Sequence, residues 1–317
     1  MRILILGAGG IGGYYGARLL QAGADVRFAV RPRRAAQLAA DGLVVLSPHG
    51  DFRLPPAQVN CVDSSALTPD HDLVMLAPKA YDLDGAMDAV APAMGPQTVL
   101  LPLLNGVAHI ERLQARFGAA RVAGGSCGIP ATLRPDGTVV QLGPLHRIVF
   151  GLLPGTDPAV MPRLKALRDA YARTPVDVVL AEDMPQELWA KFVGLATLAA
   201  MTCMMRASVG DIVATDEGLA IVEETLAVCA RVAEAAGHPP TEASLAPYRR
   251  LATTAGSTTT ASMLRDLESG QRTEAAHIIG DMLARARAAG IDPGPLRLAW
   301  CHLQAAEQRR QREAAAA

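Results

Sequence analysis

Short apolar runs alternate with longer amphipathic stretches through the first half of the chain. The runs are typical of parallel strands, because both faces of such a strand are buried and the alternation of polar residues is lost. The stretches between them repeat apolar residues every three or four positions, as helices do. The pattern predicts strands at Arg2–Leu6, Ala24–Val30, Asp72–Ala77 and Thr98–Leu103, and helices at Ile11–Ala22, Pro32–Ala40, from Leu83 and at Val107–Phe117. This alternation predicts a parallel sheet with helices on both faces.

The pattern changes near residue 122 and again near residue 182. Residues 122–151 show short strands with turn signals such as Pro135-Asp136-Gly137, which predict a small antiparallel extension of the sheet. A helix at residues 160–172 and a strand at 176–180 complete this half. Helical stretches then follow at residues 184–205, 217–236, 241–253, 262–268, 273–289 and 295–312. We predict two domains: residues 1–182, an α/β Rossmann-like dinucleotide-binding domain, and residues 183–317, an all-α domain.

Charge and composition narrow the functional classes. The formal net charge is −1, so no overall field attracts the protein to nucleic acid or to a membrane surface. The five cysteines lack C-x-x-C spacing, which argues against a zinc site or a disulfide framework. No uninterrupted apolar stretch reaches ~18 residues, the length of a membrane span. We expect a soluble, cytoplasmic enzyme without a metal.

A glycine-rich turn follows the first predicted strand and opens the first predicted helix. It consists of Gly7-Ala8-Gly9-Gly10-Ile11-Gly12, which is G-x-G-x-x-G. The first glycine allows a tight turn, the second lets the backbone approach a pyrophosphate, and the third lets helix and strand pack closely. The N–H groups at the helix start favour bound phosphate. The turn therefore predicts a dinucleotide site.

The residues after the second strand indicate which dinucleotide binds. An NAD site carries an acidic residue there for the ribose hydroxyl, whereas this chain has Arg31, with Arg33 and Arg34 close behind. A guanidinium at Arg31 favours the 2′-phosphate of NADPH, and Arg33 or Arg34 adds charge. The alternative is a solvated basic helix start, although basic residues oppose the helix dipole there.

Four further segments complete a resemblance to the ketopantoate reductase (2-dehydropantoate 2-reductase) family along nearly the whole chain. They agree with the family in order and spacing: Ala77-Pro78-Lys79-Ala80, Leu104-Asn105-Gly106, Leu188-Trp189-Ala190-Lys191-Phe192, and Ser262-Met263-Leu264-Arg265-Asp266 running on to Arg272-Thr273-Glu274. The resemblance implies a helical domain like the C-terminal domain of 6-phosphogluconate dehydrogenase. It also implies hydride transfer from NADPH to the ketone of a 2-oxo acid.

The resemblance also implies roles for individual residues. Lys191 matches the general acid that protonates the developing alkoxide, and Glu274 matches the residue that holds the hydroxyl end of the substrate. Asn105 and Lys79 match residues near the nicotinamide and the substrate, and Ser262 matches a contact of the substrate carboxylate. Asn105 and Lys79 both follow predicted strands, at the edge where open α/β sheets bind ligands.

Each of these residues also has a purely structural interpretation. Lys191 lies on the apolar helix face of Leu188, Leu195 and Leu198, where burial lowers a lysine pKa towards neutrality and makes a better acid. Spacing alone allows an ion pair of Lys191 with Glu187 instead. Glu274 fits a charge at a helix N-terminus, Ser262 a helix cap, and Asn105-Gly106 a simple turn.

The sequence departs from the family at one wall of the expected substrate site. The family has asparagines four and eight residues after the catalytic lysine, where this chain has Leu195 and Ala199, and another asparagine is missing near Val209. Ketopantoate reduction in pantothenate synthesis is the first interpretation. The main alternative is a paralogue that reduces a different, more apolar 2-oxo acid or ketone, because the loss of polar groups changes which substrate is favoured.

Two other classes share parts of this pattern. The 3-hydroxyacid dehydrogenases have the same layout, but their glycine-rich substrate signature is represented only by Gly124-Gly125-Ser126. A regulatory protein that binds NADPH without turnover is disfavoured by the presence of Lys191 and Glu274. The apolar helices of the second half are compatible with a homodimer, and the pattern leaves the oligomeric state open.

Overall fold

The computed structural model describes residues 1–316, so Ala317, the last residue of the predicted helical domain, lies outside the described residues. The chain divides into two compact units. The first unit comprises Met1–Leu104 and His109–Met184. The second unit comprises Asn105–Ala108 and the chain from Pro185 onward.

The first unit is an α/β structure with short strands and short helices. Its strands are β1 (Arg2–Leu6), β2 (Asp25–Ala29), β3 (Leu43–Leu46), β4 (Phe52–Leu54), β5 (Asn60–Val62), β6 (Leu73–Leu76), β7 (Val99–Pro102), β8 (Gly124–Gly128), β9 (Ala131–Leu133), β10 (Val139–Gln141), β11 (Arg147–Gly151) and β12 (Asp177–Ala181). Its helices are α1 (Gly10–Gln21), α2 (Pro32–Asp41), α3 (Leu83–Val90), α4 (Ala108–Phe117) and α5 (Met161–Tyr171). The first residue of α4, Ala108, belongs to the second unit.

The main sheet has five parallel strands in the order β5-β2-β1-β6-β7. Its strands bury apolar side chains on both faces, as Ile3, Leu4 and Ile5 of β1 illustrate, and this explains their unbroken apolar runs. The strand order reverses between β1 and β6, which creates the crevice where open α/β sheets bind ligands. The predicted Rossmann-like fold is confirmed.

The antiparallel pairs predicted in residues 122–151 do not form one extension of the main sheet. β9 and β10 pair antiparallel, but β10 also pairs with β3 in parallel, which gives a separate sheet in the order β4-β3-β10-β9. β8 and β11 pair antiparallel, and β11 joins β12 in a third sheet. The prediction was wrong here because pairings between strands distant in sequence leave no local pattern.

A buried polar cluster lies beneath α1 in the first unit. The Tyr14 hydroxyl and His146 Nδ1 are 2.8 Å apart, and the ring of His146 stacks on that of His49 with 3.7 Å between centroids. Arg18, almost fully buried, donates to the hydroxyl of Ser47 (3.1 Å). The cluster ties α1 to the segment before β11 and to the loop after β3.

The second unit is helical, as predicted. Its elements are α6 (Met184–Met205), α7 (Val209–Val213), α8 (Gly218–Ala235), α9 (Glu242–Thr253), α10 (Ser262–Glu268), a π-helical turn (Ala276–Gly280), α11 (Asp281–Ala288) and α12 (Pro295–Ala316). The first residue of α6, Met184, is the last residue of the first unit. The sequence pattern predicts one helix over 273–289, whereas the structure has the π-helical turn followed by α11.

One helix, α6, is long and apolar enough to cross a membrane by length and composition. However, 78% of its apolar window is buried inside the protein. Burial of this extent is typical of a helix in a protein core.

Candidate active site

The turn between β1 and α1 requires glycine at its first and last positions. Gly7 has φ +93°, and its N–H donates to the carbonyl of Ala29 at the end of β2 (2.9 Å). A Cβ atom on Gly12 would overlap the carbonyl oxygen of Gly7, so any other residue would push α1 away from β1. Both glycines therefore serve the tight turn and the close approach of helix to strand.

The middle glycine of the motif has different surroundings. Gly9 is the N-cap residue of α1 with ordinary backbone angles (φ −82°, ψ −157°), and a Cβ atom on it would have no neighbour within 4 Å. The turn itself therefore does not demand glycine at this position. Among the described residues no side chain caps α1, and its first turn carries no acidic residue. An open, uncapped helix start beside a glycine fits a pyrophosphate, which would accept the N–H bonds there.

Three of the predicted cofactor residues follow neighbouring strands of the main sheet. The last residues of β1, β2 and β6 lie side by side in the register of the sheet. Gly7 comes directly after β1, Arg31 comes two residues after β2, and Lys79 comes three residues after β6. The structure thus brings these residues to the carboxyl edge of the sheet, next to the point where the strand order reverses.

Arg31 presents its guanidinium to solvent. Its side chain is 86% exposed, and Nη2 lies 3.3 Å from a carboxylate oxygen of Asp82, in the short turn that begins after Lys79. Arg31 is also the N-cap residue of α2, with Pro32 in the first turn of the helix and no acidic residue there. An exposed guanidinium is accessible to a phosphate, which it can contact through two N–H groups.

Arg34 faces the protein interior instead. Its Nε donates to the carbonyl of Ala8 (3.0 Å) and its Nη1 to the carbonyl of Gly137 (2.9 Å). The residue is 9% exposed, and burial lowers the pKa of its guanidinium. This corrects the expectation that Arg34 offers charge to a phosphate. Arg33, in contrast, is exposed.

Lysine is rare in this chain. It stands at three positions, of which Lys79 and Lys191 are predicted site residues and Lys165 is an exposed residue of α5. Most other basic positions carry arginine, whose guanidinium does not release a proton in proteins, whereas a lysine ammonium releases one when its pKa falls. Lysine at a site that must donate a proton is therefore chemically meaningful in this sequence.

Lys191 lies in the second turn of α6 and is half-buried. The next residue, Phe192, is fully buried, which fixes the rotation of the helix at this point. One turn further on the same face lies the half-buried Leu195, followed after another turn by the buried Ala199. The helix face next to the ammonium group is therefore apolar.

Glu274 carries a buried carboxyl group, is 8% exposed, and lies two residues before the π-helical turn. The backbone carbonyl of Glu274 accepts hydrogen bonds from the N–H groups of His277 (3.0 Å) and Ile278 (3.1 Å). Buried carboxyl groups are rare unless they are paired or hydrogen-bonded, and π-helical turns are frequent at functional sites. Both features distinguish Glu274 from a solvated charge in the first turn of a helix.

The segment with Asn105 lies against the same turn of the second unit. Gly106 has φ +75°, and a Cβ atom on it would lie 3.2 Å from the carbonyl oxygen of His277 and 3.3 Å from its Cδ2. The structure therefore brings Asn105-Gly106 close to the π-helical turn, which follows Glu274 by two residues. His277 belongs to no motif of the sequence, and its signal there is its place three residues after Glu274 in a helical pattern.

Ser262 is exposed at the first position of α10. The N-cap residue is Ala261, and no side chain caps this helix, so capping does not explain the serine. The N–H of Ala261 reaches the hydroxyl of Thr202 on α6 (3.3 Å), which ties the start of α10 to α6. Among residues 1–316, no group of three or more His, Cys, Asp or Glu side chains is arranged to hold a metal ion.

A five-stranded parallel sheet that carries a glycine-rich turn, followed by a helical unit with a half-buried lysine, is an arrangement typical of two-unit dinucleotide-dependent oxidoreductases. The sequence model of ketopantoate reductase PanE/ApbA matches residues 3–155, and that of the ketopantoate reductase PanE/ApbA C terminal matches residues 183–306. The chain belongs to the ketopantoate reductase family, which confirms the resemblance stated above.

Individual relatives agree with this assignment along most of the chain. An uncharacterized oxidoreductase, YkpB of Bacillus subtilis (strain 168), is 33% identical over 96% of this chain and 98% of its own length. A 2-dehydropantoate 2-reductase of Archaeoglobus fulgidus is 29% identical over 92% of each chain. The crystal structure of a 2-dehydropantoate 2-reductase from Geobacter metallireducens GS-15 superposes with a TM-score of 0.86, at 28% identity, over 96% of this chain and 100% of that chain.

Proposed function

We propose that the chain uses NADPH to reduce 2-dehydropantoate to pantoate, a step of pantothenate biosynthesis in the cytoplasm. The observation that carries the proposal is a family match in both units combined with a half-buried lysine, Lys191, where the family has its general acid. Relatives named 2-dehydropantoate 2-reductase, at 29% and 28% identity, support the substrate.

The proposed cofactor residues are the glycine turn, Arg31, Lys79 and Asn105. Gly7, Ala8, Gly9, Gly10, Ile11 and Gly12 would hold the pyrophosphate through backbone N–H groups, and Arg31 would bind the 2′-phosphate. Lys79 and Asn105 would contact the nicotinamide side. When bound, the reduced nicotinamide supplies the hydride that the ketone carbon takes up.

Lys191 is proposed to supply the proton. As the ketone carbon gains a hydride, negative charge develops on its oxygen, and the Nζ ammonium both stabilises this charge and donates a proton to it. The product is the 2-hydroxy acid, and water returns a proton to the lysine. Glu274 would accept a hydrogen bond from the substrate hydroxyl, and Ser262 would donate one to the substrate carboxylate.

A second candidate, reduction of a more apolar 2-oxo acid or ketone, is favoured by one observation. The face of α6 beyond Lys191 carries Leu195 and Ala199. The hydroxyls of Thr197 and Thr202 on the same helix donate to its own carbonyls, at 2.9 and 2.7 Å, and so offer no hydrogen to a substrate. A wall of this kind gains little from a hydroxyl-bearing substrate.

The deciding experiment measures NADPH oxidation with 2-dehydropantoate and with 2-oxo acids of similar size that carry only aliphatic or aromatic side chains. Wild type, Lys191→Ala and Lys165→Ala are compared, the last being the matched lysine control. We expect Lys191→Ala to lose about 10²- to 10⁴-fold in kcat, as for a removed general acid, with unchanged NADPH affinity. Lys165→Ala is expected to behave as wild type. Equal activity of Lys191→Ala and wild type would remove the lysine from the mechanism.

The same panel separates the two substrate candidates. Higher kcat/KM for 2-dehydropantoate supports the first, and higher kcat/KM for an apolar 2-oxo acid supports the second. In the second case Leu195→Asn, which restores an amide one turn from Lys191, is expected to move the preference back towards the hydroxyl-bearing substrate. Absence of turnover with every 2-oxo acid would contradict both candidates.

A further inference from the structure

The hairpin of β9 and β10 lies directly on the first turn of α1. A Cβ atom on Gly10 would lie 3.0 Å from the carbonyl oxygen of Ala131, and one on Gly13 would lie 2.9 Å from Cγ2 of Val139. No side chain fits between the two elements at these points. The glycine turn is thus supported by a part of the first unit about 120 residues further along the chain.

Arg34 connects this hairpin to the glycine turn from the other side. Its guanidinium bridges the carbonyl of Ala8 in the turn (3.0 Å) and the carbonyl of Gly137 at the tip of the hairpin (2.9 Å). Gly137 has φ +87°, and a Cβ atom on it would lie only 2.6 Å from Nη1 of Arg34. The hairpin tip therefore leaves room for the guanidinium and for little else.

The bond to Ala8 fixes more than one carbonyl group. The carbonyl of Ala8 and the N–H of Gly9 belong to the same planar trans peptide, in which the two groups point in opposite directions. An arginine that holds the carbonyl on the inner side therefore directs the N–H of Gly9 to the other side. Because glycine tolerates many backbone angles, this peptide plane would otherwise be free to rotate.

We propose that Arg34 is a positioning residue that holds the Ala8–Gly9 peptide in the orientation required for the pyrophosphate. This inference rests on the proposed use of the glycine turn as the pyrophosphate site. NADPH and NADH share the pyrophosphate that this peptide would contact. Arg34 therefore sets the affinity for both dinucleotides and not the choice between them. Arg31, proposed to bind the 2′-phosphate, sets the choice.

The test measures NADPH and NADH dissociation constants by fluorescence titration, well below the melting temperature, for wild type, Arg34→Gln, Arg34→Lys and Gly137→Ala. The control is Arg53→Gln, since Arg53 is an exposed arginine that donates to a backbone carbonyl away from the turn, that of Asp41 (2.8 Å). We expect Arg34→Gln to raise both dissociation constants by about tenfold to a hundredfold, with kcat at saturating NADPH within about twofold of wild type. A lysine lacks the forked guanidinium needed to reach two carbonyls. The dissociation constants of Arg34→Lys are therefore expected to lie between those of wild type and Arg34→Gln.

Gly137→Ala keeps the arginine and displaces its guanidinium, so it tests the proposal even if Arg34→Gln does not fold. It is expected to raise both dissociation constants in parallel, whereas Arg53→Gln leaves them unchanged. Unchanged dissociation constants in folded Arg34→Gln or Gly137→Ala would overturn the proposal. A change in the ratio of the NADPH and NADH dissociation constants would overturn it as well. If wild type binds neither dinucleotide, the proposed cofactor site itself fails, which is a separate result.

Discussion

Gly9 and Gly12 stand three residues apart in one turn, yet alanine at Gly12 is expected to lower stability, whereas alanine at Gly9 is not. A Cβ atom on Gly12 overlaps the carbonyl oxygen of Gly7, directly after β1, and comes within 3.2 Å of Cγ2 of Ile5 in the buried β1 strand. Overpacking of this kind costs on the order of 1–3 kcal/mol of unfolding free energy, or roughly 3–10 °C in melting temperature for a unit of this size. Gly12→Ala should therefore lose both stability and cofactor affinity.

Alanine at Gly9 meets no atom of residues 1–316 within 4 Å of its Cβ. The loss of a preferred N-cap residue and the gain from a less flexible unfolded chain are each below about 1 kcal/mol and oppose one another, so stability should change little. The methyl group instead occupies the space proposed for the pyrophosphate. The loss of one or two N–H bonds to phosphate corresponds to roughly 1.5–3 kcal/mol each, or at least about tenfold in the NADPH dissociation constant.

Thermal unfolding without ligand and fluorescence titration with NADPH check these expectations. Gly85→Ala is the matched control, since Gly85 is exposed in α3 and has no neighbour within 4 Å of a Cβ atom. It should gain about 0.5–1 kcal/mol in stability and bind NADPH as wild type does. If Gly9→Ala binds NADPH like wild type, or if Gly12→Ala melts like wild type, the account of the turn is refuted.

Two further predictions concern cofactor choice and pH. Arg31→Asp should raise the KM for NADPH by about tenfold to a hundredfold, because the proposed charge-assisted contact to the 2′-phosphate is lost. The KM for NADH should change by less than about threefold. An equal rise of KM for both cofactors would show that Arg31 does not bind this phosphate. Burial lowers the pKa of His146 below its usual value of 6.5, and His49 and Arg18 lower it further, so the folded state favours the neutral ring. The folded state therefore loses no stability through His146 above pH 6.5 and loses stability as the pH falls below that value. Urea midpoints measured from about pH 7.5 to about pH 5 should decline more steeply for wild type than for His146→Gln. Identical slopes would contradict a lowered pKa of His146 in the folded state.

Local patterns predicted those parts of the fold that depend on local interactions. The helix at residues 262–268 has the bounds expected from its apolar spacing, and the long apolar helix over residues 184–205 does as well. The strands of the main sheet were visible because strands buried on both faces are apolar without interruption. The glycine turn was visible because a tight strand-to-helix turn restricts residue types at fixed positions.

The second and third sheets depend on contacts that sequence periodicity does not record. β3 pairs with β10, so that Val45 lies beside Val139 more than ninety positions later. Such short strands are too brief to show a period, and a parallel partner far along the chain leaves no turn signal between them.

The candidate site shows the same division between local and long-range information. Three arginines follow β2 within five positions, and the sequence alone does not tell which one is buried, because that depends on a carbonyl of Gly137 about a hundred residues away. Glu274 was found through the family motif, but the π-helical turn behind it was not. One extra residue in a helical turn is stabilised by tertiary packing and leaves the apolar pattern intact.

The exposure of Arg31 has a consequence for the conditions under which the protein works. A charge in open water is screened by dissolved ions over about 8 Å at 0.15 M salt and over still shorter distances in more concentrated solutions. Discrimination between a phosphorylated and an unphosphorylated ribose at such a guanidinium therefore weakens as ionic strength rises. The NADPH preference proposed for Arg31 would thus depend on the surrounding electrolyte as well as on the protein.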